Sequence, residues 1–338
     1  QGSDVAAHSA GVLDIKTTIL PDADALFLTA IDRYGHELWR WTFPVNKLNQ
    51  ANEVLSPLSN KVTSTETENE LTVKAKNHTF IFSKKDGQLK GVSVNNRKIS
   101  FANGPRFIGA RRADRSLDQF YNHDDEKAKE KDRTYSEFPD AAVFTKLDVK
   151  EDGGNLIVTA NYKLGNLDKA QWTINPNGEA VLDYTYNFSG VVDLMGICFD
   201  YPEDQVISKR WLGAGPYRVW QNRIHGTQYD VWENDYNDPI PGETFTYPEF
   251  KGYFGSVSWM NIRTKEGTIS LTNETPDAYI GVYQPRDGRD RLLYTLPESG
   301  ISVLNVIPPV RNKVNSTDLC GPSSQPKWVN GPQSGRII

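Results

Sequence analysis

The residues best suited to chemistry crowd into one stretch. Between Trp211 and Asp238 stand Trp211, Trp220, Trp232, Tyr217, Tyr229 and Tyr236, set among Arg218, Arg223, His225, Glu233 and Asp235. Aromatic faces stack on the C–H faces of pyranose rings, while carboxylates, amides and guanidinium groups bind hydroxyls, so this mixture is what a carbohydrate site requires. The candidate carbohydrate contacts are Trp211, Trp220, Arg223, His225, Tyr229, Trp232, Glu233 and Tyr236. The competing reading is structural: the rings cover the mouth of a sandwich and the charges pair with one another. An acid–base reading of the same stretch takes His225 with Glu233 or Asp235 as the catalytic set, because proton transfer needs two groups poised near the working pH.

Other reaction chemistries find little support. The histidines His8, His36, His78, His123 and His225 form no His-x-His or His-Glu-x-x-His pattern, and Cys198 and Cys320 stand far apart with no Cys-x-x-Cys spacing. No metal site and no disulfide framework is therefore expected, and both cysteines read as buried free thiols. Gly213-Ala-Gly-Pro216 lacks the Lys-Ser/Thr of a phosphate loop and reads as a tight turn, as does Asp287-Gly-Arg-Asp290. No Gly-x-Ser-x-Gly elbow is present, and no cofactor is implied. Sequons begin at Asn77, Asn187, Asn273 and Asn315, a number that chance supplies in a chain of 338 residues.

The elements that must position these residues are strands. Segments such as Leu71–Ala75, Thr79–Phe82, Leu89–Val94, Ala142–Val149, Leu156–Tyr162, Ala180–Phe188, Thr268–Leu271, Tyr279–Tyr283 and Ile301–Ile307 carry β-rich composition at regular spacing. Two hairpins are explicit, one turning at Asp86-Gly87 and one at Asn177-Gly178, where glycine supplies positive φ. No stretch holds a 3.6-residue apolar period; Asp124–Asp132 has helical composition but no apolar face and reads as a solvated loop. The fold class is all-β, a large antiparallel super-sandwich. Upstream, Val12–Ile19, Ala25–Asp32 and His36–Phe43 read as three further strands, too few to close a core. The polar run from Asn46 to Glu70 reads as a linker or an entering edge strand, which divides the chain into residues 1–50, part of a small β-sandwich, and 51–338, the super-sandwich.

Composition narrows the partners. With 38 Lys and Arg against 43 Asp and Glu, the net charge of −5 leaves no basic surplus to neutralise phosphates, so nucleic acid and anionic membranes are not expected partners. The longest apolar run, Ala25–Ile31, is far shorter than a membrane span requires. Tyr (15) outnumbers Phe (14), with 8 Trp and only 2 Met, which suits strands and sugar-facing surfaces better than helical packing.

In order along the chain, the Phe80–Lys98 hairpin, the Trp172–Tyr186 unit, the Gly213–Pro216 turn leading to Arg223 and Tyr229, and Tyr247–Trp259 resemble the C-terminal domain of glycoside hydrolase family 2 β-galactosidases. The resemblance covers roughly residues 60–310, with residues 1–50 matching the end of a preceding immunoglobulin-like sandwich. It implies a galactose-mutarotase-like super-sandwich, part of a larger bacterial, periplasmic or secreted glycosidase, that docks on a (β/α)₈ barrel and shapes the sugar site. The barrel carries that family's two catalytic glutamates. Nothing in this sequence alternates strand and helix as a barrel would, and the Asn-Glu pairs at Glu53, Glu70 and Glu274 fall in the linker or beside strands, so no catalytic residue is assigned. The stretch Gly104–Asp118 departs from the family's Arg-Ala-Pro-Thr-Asp-Asn-Asp-like sequence, and its contacts are not carried over. Two other readings stand beside this one: a self-sufficient aldose epimerase or polysaccharide lyase on the same fold, and a protein-interaction domain whose aromatic stretch is an interface.

Overall fold

A computed structural model describes residues 5–19, 23–45, 61–112, 135–235, 252–282, 297, 299–309 and 321–338. The chain divides into two compact units, residues 1–54 and 55–338. In the first, β1 (Ala25–Ile31) and β2 (Glu37–Pro44) form an antiparallel hairpin. Its turn is held by Asp32, whose carboxylate accepts the backbone N–H groups of Tyr34 and His36 at 2.8 Å each. Those bonds, that from His36 foremost, hold the Asp32 carboxyl below its ordinary pKa. The strand expected over Val12–Ile19 does not form, and Val12 is fully exposed: among the described residues no strand pairs with it, and an extended segment without a partner gains no ladder.

The second unit is strand throughout, with only two short 3₁₀ turns among the described residues. Its first strands are β3 (Thr63–Glu66), β4 (Glu70–Ala75), β5 (His78–Ser83), β6 (Leu89–Val94), β7 (Arg97–Ile99), β8 (Ala102–Arg112) and β9 (Tyr135–Glu137). Then come β10 (Val143–Asp152), β11 (Asn155–Lys163), β12 (Leu167–Ile174), β13 (Ala180–Val192), β14 (Leu194–Asp200) and β15 (Val206–Gly215). The chain continues through β16 (Gln228–Asp235), β17 (Trp259–Thr264), β18 (Gly267–Thr272), β19 (Tyr279–Val282), β20 (Ile301–Val306) and β21 (Lys327–Ile337). A ten-stranded sheet runs β19-β20-β14-β8-β6-β5-β4-β3, with β7 on β6 and β9 on β8. A five-stranded sheet runs β10-β11-β12-β13-β21, and a four-stranded sheet runs β16-β15-β17-β18. The strand pairs within these sheets are antiparallel.

The two explicit hairpins form where the sequence places them. Gly87 takes φ +73° between β5 and β6, and a Cβ there would lie 2.7 Å from the Phe144 ring, so the position needs both the glycine conformation and its close approach. Between β12 and β13, Asn175 Oδ1 accepts the N–H groups of Asn177 at 3.0 Å and Glu179 at 3.1 Å, and Gly178 takes φ +88°. The polar run expected as a linker or edge strand contains β3, an edge strand of the large sheet.

One core lies between the large and five-stranded sheets. Leu71, Val73, Phe82 and Leu89 meet Leu156, Val158, Trp172, Ile174 and Leu182, with Phe82 and Trp172 centroids 6.1 Å apart and Phe107 and Tyr186 5.4 Å apart. Each such side chain stabilises the fold by roughly 1.5–3 kcal/mol when fully buried. The four-stranded sheet adds Trp211, Met260, Ile262 and Leu271 to the same core. The large sheet is also covered on its other face, where Ile108, Ala110, Leu194, Cys198 and Leu304 pack beneath Val219, Trp220 and Tyr253. That second layer explains β14: six of its seven residues are buried, because alternate side chains enter different cores.

Candidate functional site

The aromatic-rich stretch becomes β15, a tight connection over residues 216–227, and β16. Cross-strand register decides which side chains face outward. Trp211 pairs with Trp232, Lys209 with Asn234 and Gly215 with Gln228 on one face; Arg210 pairs with Glu233, Leu212 with Val231 and Ala214 with Tyr229 on the other.

The inward face holds the two tryptophans. Trp211 is fully buried, meets Phe254 edge-on at 4.9 Å and donates its indole N–H to Ala214 O at 3.0 Å. Trp232 is half-buried, donates its N–H to Gln228 O at 3.1 Å and lies over Gly215, where a Cβ would come within 2.3 Å of the ring. Trp220, 1% exposed, belongs to the second core and stands edge-on to Tyr253 at 5.6 Å. Trp211 and Trp220 therefore offer no open ring face to a sugar. Their aromatic character, which the sequence presents as binding chemistry, is spent on the two cores.

The outward face is different in kind. Arg210, Glu233, Asp235, Arg263 and Ser270 are exposed, and Asn261 is half-exposed. Register puts Glu233, Arg210, Asn261 and Ser270 in one row across all four strands, with Val231, Leu212, Trp259 and Thr272 in the next. The Arg210 guanidinium lies 5.8 Å from the Trp259 ring centroid, within cation–π range. At one end of this face Tyr229 OH and Ser258 Oγ share a hydrogen bond of 2.5 Å. A carboxylate, a guanidinium, an amide, hydroxyls and a half-exposed indole thus lie side by side on one face of the sheet, the complement that vicinal hydroxyls and a pyranose face would meet.

The connection between β15 and β16 is anchored on one side and open on the other. Val219 and Tyr253 exchange backbone bonds at 2.7 and 2.8 Å, and buried Arg218 lies 5.1 Å from the Phe254 centroid. Gln221 donates from its backbone to Pro308 O at 3.0 Å and from its side chain to Gln325 O at 2.8 Å. Arg223 and His225 form the exposed tip, closed by Gly226 at φ +94°. His225 is three residues before β16, and Glu233 is five residues along that strand, a further ~17 Å at strand rise. Proton relay needs heavy atoms within about 3 Å or one bridging water, so the fold does not assemble His225 with Glu233 or Asp235 as an acid–base set. His78 lies instead against the Gly178 turn, where burial foremost and then the charge of Lys76 lower its pKa. Tyr236 and His123 lie outside the described residues.

Sequence reasoning missed Arg210, Trp259 and Asn261 as neighbours of Glu233. Trp259 stood in a recognisable motif, but only strand pairing places it beside Glu233. A second cluster also escaped it: on the large sheet Asp200 accepts from Arg106 at 2.6 Å and from Asn103 at 2.7 Å, with Cys198 Sγ 3.8 Å from the same guanidinium. Among the described residues, no group of three or more His, Cys, Asp or Glu is placed to hold a metal ion, and no helix is long and apolar enough to cross a membrane.

Fold and site together define a large all-β antiparallel sandwich with a mixed polar and aromatic strand face. The chain belongs to the family described as beta galactosidase small chain, which matches residues 74–306, more than half of its length. No curated protein matches it. Among solved structures it is similar to the GalM/aldose epimerase homologue from C. elegans, at 7% sequence identity and a TM-score of 0.36, over 81% of this chain and 98% of that one.

Proposed function

We propose that this chain is the carbohydrate-facing accessory region of a β-galactosidase-like glycosidase, contributing sugar contacts while a (β/α)₈ barrel of the same parent protein carries out hydrolysis. The observation that carries the reading is the family match across the super-sandwich. The outward row of Glu233, Arg210, Asn261 and Ser270, with Trp259 as the half-exposed indole and Arg223 and His225 at the tip, supplies the contacts in this proposal, while Trp232 packs on the inward face. Tyr229, with its hydroxyl already bonded to Ser258, holds one end of that face, and Trp211 and Trp220 support the surface from within. The ligand is a galactoside or a plant-type oligosaccharide, and the setting is periplasmic or extracellular in a bacterium. A self-sufficient enzyme is the weaker reading, because His225 and the carboxylates of β16 are not joined.

The test is calorimetry and turnover on the same samples of the 338-residue chain, using lactose, aryl β-galactosides and plant oligosaccharides. Binding without turnover is the expected result. Turnover that disappears in His225→Ala would overturn the assignment in favour of a self-sufficient enzyme.

A further inference from the structure

Where the three sheets of the second unit meet, the core does not close. A cavity of about 540 Å³ remains, in the size range of small-molecule sites and far above the water-sized voids of ordinary interiors. Its walls are aromatic: Phe80, Phe101, Trp172 and Phe199, with Phe101 stacked on Phe199 at 4.7 Å and Trp172 edge-on to Phe199 at 6.0 Å. Leu89, Ile301 and Val303 complete the apolar lining. β18 borders the cavity along Gly267–Thr272, with Ile269 and Leu271 belonging to or packed against the core, whereas Glu233, Arg210 and Asn261 of the outward row do not line it.

Its ionisable groups are the carboxylates of Glu179 and Glu266 and the imidazole of His78, with hydroxyls from β17 and β18 beside them. Glu266, Thr264 and Thr268 stand along one side, and among the described residues no Lys or Arg lines it. The Glu266 carboxylate accepts from Ser100 Oγ at 2.6 Å, from Ser100 N at 3.0 Å and from Tyr201 OH at 3.0 Å. Burial opposes its charge, but these bonds and the charge of Lys98 outweigh that and hold its pKa below the ordinary value. A carboxylate offers about four lone-pair sites, so one acceptor position remains for a ligand donor. His78, also in the lining, is biased towards its neutral form by burial and by Lys76, so it supplies no cation at neutral pH.

We propose that this cavity is a binding site for a neutral hydroxylated aromatic molecule, its ring held among Phe80, Phe101, Trp172 and Phe199 and its hydroxyl donated to Glu266. Charge selects against the matching carboxylic acid, whose anion would face the Glu266 carboxylate with no cation to receive it. The site is independent of the sugar reading: failure of galactoside binding leaves it intact, and its own probes are not sugars.

The experiment is a calorimetric titration of the full chain at neutral pH with 2-naphthol, and with 2-naphthoate as the anionic counterpart of similar shape. Saturable one-to-one binding of 2-naphthol is expected, with 2-naphthoate at least about tenfold weaker, a difference of about 1.4 kcal/mol. Ile269→Trp and Ala180→Phe, which fill the cavity from two strands, are each expected to lose at least tenfold in 2-naphthol affinity while still unfolding cooperatively. Glu266→Gln is expected to narrow the gap between the two probes. No saturable heat with 2-naphthol, equal binding of the anion, or full binding in a folded, cavity-filled variant would each overturn the proposal. If both filled variants fail to fold, the two probes on the unaltered chain decide it alone.

Discussion

Trp211→Ala separates an aromatic residue that builds the sheet from one that touches ligand. The side chain is fully buried, meets Phe254 at 4.9 Å and donates to Ala214 O at 3.0 Å. A Trp side chain buries on the order of 200 Å², so at about 25 cal/mol/Å² its transfer is worth roughly 5 kcal/mol. Alanine keeps a small part of that, and partial collapse of the site recovers more, whereas the unpaired Ala214 carbonyl adds about 1 kcal/mol of loss. The expected destabilisation is therefore about 3–5 kcal/mol, the range seen for Trp-to-Ala changes in packed cores. With an m value of roughly 3 kcal/mol/M in urea, the unfolding midpoint should fall by about 1–1.7 M. Sugar affinity of the protein that remains folded should stay within about twofold of the parent. A midpoint shift below about 0.3 M, or lost affinity at unchanged stability, would refute the assignment of Trp211 to the core.

Other consequences follow from equally local features. A Cβ at Gly196 in β14 would lie 2.1 Å from Val303 O on the neighbouring strand, and neither backbone can yield cheaply, so Gly196→Ala should cost at least about 2 kcal/mol in denaturant unfolding. Cys198 is buried, and burial pushes its thiol pKa up, so a thiol-specific reagent should label it only at the rate of unfolding. For Asp200, burial works to raise the carboxyl, but the bonds from Arg106 and Asn103 outweigh it and leave its pKa below the ordinary value. A depressed carboxylate contributes stability that is present above its unfolded pKa of about 3.9 and is lost as pH falls through the folded value. Asp200→Asn should accordingly flatten the acid limb of a stability-versus-pH curve below about pH 4 and leave its neutral limb parallel to that of the parent. Deleting residues 327–338 removes β21 from its eleven-position pairing with β13 and exposes that edge, so the shortened chain should lose cooperative unfolding by circular dichroism.

Many strands were legible from a wet face or from β-rich composition between turn residues, the latter in the nearly fully buried β19 and β20. β4 alternates exposed and buried positions, and β11 alternates half-buried with fully buried ones over most of its length, so composition and turn residues were enough. β14 was not legible: it is buried on both faces and shows no alternation, and its Leu-Met-Gly-Ile-Cys-Phe-Asp composition lacks the β-branched enrichment that marks β20. β21 carries Gly331, Pro332 and Gly335, which weaken a strand signal; it forms because β13 supplies a partner along eleven positions. The missing proline N–H is tolerable there, as β21 ends the five-stranded sheet. Val12–Ile19 fails in the opposite sense, with β-rich composition and no partner.

The candidate site divides along the same line. Composition singled out the segment, but the facing of its rings follows from cross-strand register and from a second core above the large sheet. Trp211 and Trp220 are indistinguishable from Trp232 in a sequence, and only β17 brings Trp259 and Asn261 beside Arg210 and Glu233. His225 and Glu233 look close at eight positions apart, yet an extended strand turns that spacing into distance.

The central claim, that the outward face of β15–β18 receives sugar, is tested most directly by following the tryptophan ring resonances of the full chain by NMR during titration with lactose. The account predicts saturable shifts of the Trp259 ring, no comparable shifts of Trp211, Trp220 or Trp232, and loss of saturation in Glu233→Ala. Saturable shifts centred on Trp211, Trp220 or Trp232, or no shift of Trp259 at lactose concentrations that release binding heat, would contradict it.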